Sequence, residues 1–131
     1  DAPNREICTV KRSRTNTPLQ ALALLNEITF VEAARKLGER MLLEGGGDVE
    51  SRVAHGFRLV TGRTPSAEEL RVLVDGLQLD RERLRAKPEE AAKLVAFGQS
   101  RPAANLDTIE LAAYALVGNI LLNLDEVVTR E

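Results

Sequence analysis

The chain holds one histidine, His55, and one cysteine, Cys8, so acid–base or nucleophilic chemistry would have to be built around one of them. A serine or cysteine nucleophile needs a base to take its proton, and histidine is the usual one. At helical spacing His55 shares a side with Ser51, Arg52 and Arg58. That is the polar face of an amphipathic helix, and a surface or hydrogen-bonded histidine accounts for it. Cys8 stands beside Ile7 and Val10, just ahead of Lys11 to Arg14. Nearby cations lower a thiol's pKa, but a small apolar side chain covering the domain suits the same surroundings. A lone cysteine makes no intramolecular disulfide, and no Cys/His spacing fits a structural zinc site.

Two other patterns carry less chemistry than they first suggest. Gly45-Gly46-Gly47 lacks the Lys-Ser/Thr of a phosphate-binding loop and is flanked by Glu44 and Asp48, whose charge repels phosphate, so it reads as a turn. The adjacent carboxylates Glu68/Glu69, Glu89/Glu90 and Asp125/Glu126 fit helix first turns or exposed ends, not a glycosidase-like acid pair. No catalytic and no metal-ligating residue is assigned.

Binding is the better use of what remains. Lys11-Arg12-Ser13-Arg14 is a local basic patch in a chain of formal net charge -2. Phosphate contact is one use of such a patch, but aromatic residues are only 3% of the chain and none adjoins the patch to stack on a base, so nucleic acid is an unfavoured partner. An acidic surface elsewhere in a larger protein is the preferred one. The string Arg14-Thr15-Asn16-Thr17-Pro18-Leu19-Gln20 is the most specific feature, although helix capping already explains Thr17, Pro18 and Gln20. The binding candidates are Arg12, Arg14, Asn16, Gln20 and Asn26, which could orient a polar substrate or meet a polar partner surface. Arg58 and Arg63, on either side of Gly62, are expected to pair structurally with Glu68 or Glu69.

The elements that position these residues are all helical. Residues 1–16 lack sustained periodicity and form an extended basic arm ahead of a helical domain over 17–131. Thr17, Pro18 and Gln20 start a short helix through Leu25, with Asn26 closing it in the left-handed conformation. A second helix spans about Thr29 to Glu44, with Phe30, Ala33, Ala34, Leu37 and Met41 inward and Glu32, Arg35, Lys36, Glu39 and Arg40 on the opposite side. Asp48 caps a third, with Val53, Phe57 and Val60 inward and Gly62 at its end. Ser66 and Glu69 box a fourth, whose core face is Leu70, Leu73, Val74, Leu77 and Leu84. Pro88 sits in the first turn of a fifth ending near Gly98, and Asp107 with Glu110 caps the last, Thr108 to about Leu122. Leu24-Leu25-Asn26 recurs as Leu121-Leu122-Asn123, read as two helices ending alike on an asparagine and not as a repeat.

The expected fold is therefore all-α, an irregular bundle of five or six helices with an extended N-terminal arm. The 131 residues, 44% hydrophobic and 29% charged, suit one ordered domain. The most apolar stretch, Ile109 to Leu124, is interrupted by Glu110 and Asn119 and falls short of the ~20 apolar residues of a membrane span. Opening on Asp1 with no basic-then-apolar leader, the chain reads as excised from a longer precursor.

Three strings carry a resemblance. Arg14-Thr15-Asn16-Thr17-Pro18-Leu19-Gln20-Ala21-Leu22-Ala23-Leu24-Leu25-Asn26, then Phe57-Arg58-Leu59-Val60-Thr61-Gly62-Arg63-Thr64-Pro65-Ser66-Ala67-Glu68-Glu69-Leu70, and last Leu122-Asn123-Leu124-Asp125-Glu126 together resemble a planctomycete-specific domain of unknown function. The resemblance spans essentially the whole chain, and its first two strings are the specific ones. It implies a C-terminal domain of a large exported, periplasmic or otherwise secreted protein that often carries c-type cytochrome modules. It brings no activity and no catalytic residues. Ile28 stands where the family often has proline, which bears on the break between the first two helices. No C-x-x-C-H is present, so no cofactor is expected in this chain, and haem would belong elsewhere in the parent.

The functional expectation is a non-catalytic helical module that packs against or organises the other domains of its parent. The alternative is a contribution to a polysaccharide-degrading or redox active site in the intact parent, and nucleic-acid binding through the arm ranks below both.

Overall fold

The computed structural model describes residues 28–96 and 105–124, with side chains from residue 32 onward, and these form five α-helices without a strand among them. They are α1, Ile28–Glu44; α2, Val49–Thr61; α3, Ala67–Ala86; α4, Pro88–Ala96; and α5, Thr108–Leu122. The all-α bundle read from periodicity is the observed architecture. The arm, the expected helix over Pro18 to Leu25 and the residues after Ala96 up to Ala104 lie outside the described residues.

The helix ends follow local chemistry. Asp48 accepts a hydrogen bond from the Ser51 N–H and starts α2. Gly62 stops it in the left-handed region at φ 79, its N–H donating to Arg58 O at 2.9 Å. At α3 the capping box closes both ways: the Ser66 hydroxyl accepts from the Glu69 N–H at 3.1 Å, and the Glu69 carboxylate accepts from the Ser66 N–H at 2.9 Å. α3 ends at Lys87 because Pro88 follows, pushing the residue before it out of helical conformation, and the same proline opens α4. Asp107 caps α5 through the Glu110 N–H. Asn123 does terminate α5, its side-chain amide donating to Asn119 O at 2.8 Å, but at φ -103 it is not left-handed.

Between Leu111 and Leu121, α5 is apolar on nearly every side, the mark of a central helix with little solvent face. Leu111 to Gly118, Ile120 and Leu121 are all buried. The other four helices pack around it, α1 most extensively, and each of α1 to α4 also touches its neighbour in sequence. α1 and α5 run antiparallel and meet nearly backbone to backbone. A Cβ on Gly38 would lie 2.8 Å from Ala115 N, and one on Gly118 would lie 2.7 Å from Ala34 O. A side chain at either position would wedge the pair apart.

On α1 two side chains lie opposite to where the periodicity puts them. Ala33, placed on the apolar stripe, is exposed, and Arg35, placed on the solvent side, is 1% exposed. The buried arc of α1 is centred on Ala34, Leu37, Gly38 and Met41, which leaves Ala33 at its edge and turns Arg35 inward toward α4. Val60, Leu70 and Val74, read as core, are half-buried and border the cluster formed by Val53, Phe57, Leu73, Leu77 and Leu84. No helix among the described residues is long and apolar enough to cross a membrane.

Candidate functional site

The polar side chains of the bundle gather where one helix meets another, and an arginine stands at each gathering. At the α1–α2 corner, α1 ends on Glu44 and the chain turns through Gly45, Gly46 and Gly47. A carboxylate at a helix C-terminus opposes the helix dipole. Here Arg40 offsets it with a two-pronged contact, Nε to Oε2 at 3.0 Å and Nη2 to Oε1 at 3.1 Å, and His55 Nε2 from α2 lies 2.9 Å from Oε1. α2 also serves the open carbonyls of the turn. The Ser51 hydroxyl donates to Gly45 O at 2.6 Å and Arg52 Nε donates to Gly46 O at 3.0 Å. The Glu44 carboxyl is held below its ordinary value by the hydrogen bond from Arg40 first and that from His55 second, and the Arg40 guanidinium is raised by the same contact.

At the α2–α3 corner Arg63 donates to both carboxylate oxygens of Glu69, at 3.0 and 2.9 Å, while its guanidinium carbon sits 4.8 Å from the centroid of the Phe57 ring. Glu69, not Glu68, is the partner of the pair expected from sequence, and Arg58 stays exposed with no ion pair among the described residues. The buried Thr61 hydroxyl donates to Phe57 O at 2.9 Å and accepts from the Arg63 N–H, locking the end of α2 to the turn.

Between α3 and α5, Arg81 Nη2 donates to Glu110 Oε1 at 2.8 Å. The equally short approach of Nε to Oε2 is an ionic contact without hydrogen-bond alignment. Between α1 and α4, Arg35 Nη1 donates to Val95 O at 2.7 Å, with Glu39 4.0 Å from Nε. That carbonyl belongs to the last turn of α4, where a cation is favourable. α1 and α4 touch little elsewhere, so this bond closes the ring of four helices around α5.

The sequence places His55 on a polar face as a surface or hydrogen-bonded side chain, and in the structure it is half-buried and bonded to Glu44. Sequence reasoning missed Arg35 and Arg81 as ties. Arg81 had a signal, because it lies four residues after Leu77 and three before Leu84, at the edge of the α3 core stripe. Arg35 had none, since its acceptor is a backbone carbonyl 60 residues away. Two buried polar atoms on α5, Tyr114 Oη and Asn119 Oδ1, have no hydrogen-bond partner among the described residues. The binding candidates Arg12, Arg14, Asn16, Gln20 and Asn26, and Cys8 with them, lie outside the described residues. No group of three or more His, Cys, Asp or Glu side chains able to hold a metal ion occurs among the described residues.

A family model described as "Protein of unknown function (DUF1553)" matches residues 1–77, and the chain belongs to that family. The matched span takes in all five binding candidates together with α1, α2 and the first half of α3. No curated protein and no solved structure matches the chain.

Proposed function

We propose that this member of the family is a non-catalytic helical interaction module of a larger exported protein, docking on other domains of its parent through the segment that carries Arg12, Arg14 and Asn16. The observation that carries this reading is the use made of the bundle's polar side chains. Arg35, Arg81 and His55 tie one helix to another, and Arg52 and Arg63 fasten the turns between helices, so these groups are spread over separate structural contacts, whereas catalytic groups would need to converge on one point. The family match adds support by joining the Arg12 to Asn26 segment and the first two helices of the bundle in one unit. The resemblance in the sequence is what supports an exported parent with cytochrome modules and, with it, a periplasmic or otherwise exported location.

The test uses the parent protein carrying Arg14→Ala and Asn16→Ala together. Retained turnover with a newly accessible protease site between this module and its neighbours supports docking. Lost turnover with unchanged protease resistance would overturn it in favour of a role in the parent's active site.

A further inference from the structure

We draw no further inference here: the strongest candidate, the buried Tyr114 hydroxyl on the central helix with the Arg52 guanidinium carbon 6.0 Å from its ring centroid, carries nothing because no second polar group among the described residues converges on that oxygen and nothing in the structure shows what would meet it.

Discussion

The two corners that flank α2 do the same job by different means. At the α2–α3 corner every device is local: Gly62 takes the left-handed turn, Ser66 and Glu69 cap each other, and Arg63 closes onto Glu69 six residues away. At the α1–α2 corner the backbone is three glycines, and the free carbonyls are met by side chains one helix further on, Ser51 and Arg52, with His55 reaching back eleven residues to Glu44. A corner built from short-range caps announces itself in sequence. A corner built from side chains of the following helix looks, in sequence, like a glycine linker beside a polar helix face.

The comparison predicts unequal sensitivity to the same change. Gly45→Ala should be the most damaging, by about 3 kcal/mol, because its Cβ would lie 2.5 Å from Met41 O and 2.6 Å from Arg52 Cα, both backbone atoms. Gly62→Ala should cost less, ~1–2 kcal/mol, since nothing lies within 4 Å and only the left-handed φ opposes it. Urea midpoints at unchanged m-value measure both, and equal losses would erase the distinction between the corners. Next in size, Ser66→Ala should lose ~1 kcal/mol with the cap. Arg63→Ala should lose ~0.5–1 kcal/mol, its exposed ion pair being reinforced by the Phe57 ring.

The smallest effect is a pH dependence confined to the α1–α2 corner. The carboxyl of Glu44 is depressed in the folded state, so the stability it contributes is present above the ordinary value of 4.5 and fades as pH falls through the lower folded value. Unfolding midpoints of the native chain and Glu44→Gln should therefore differ at neutral pH and converge below that window. A difference that persists undiminished at the acid end would assign the effect to packing instead of charge.

Legibility in sequence tracks the same division. The starts of α2, α3 and α5 were readable from Asp48, Ser66 with Glu69, and Asp107, because a cap and its partner lie within one turn. Arg35 was not readable, because a period of 3.6 residues divides a helix into two faces and says nothing about an acceptor on another helix. Ala33 failed for the converse reason: alanine is apolar enough to be counted in a stripe and small enough to sit in water at little cost. Of the candidate site, His55 was legible as a surface or hydrogen-bonded residue, although not as a fastening of α1. The five binding candidates rest on the family segment alone.

On the proposed function, the bundle's polar residues hold its helices together and the segment before it meets the parent. This is tested most directly by titrating the 131-residue chain into the remainder of the parent, with thermal unfolding measured on the same samples. Arg12→Ala with Arg14→Ala and Asn16→Ala should weaken association about tenfold or more, roughly 1.4 kcal/mol, while leaving the unfolding midpoint in place. Ser51→Ala with His55→Ala should lower the midpoint and leave association intact. The crossed result, binding lost at the corner and stability lost at the arm, would overturn that division between bundle and arm.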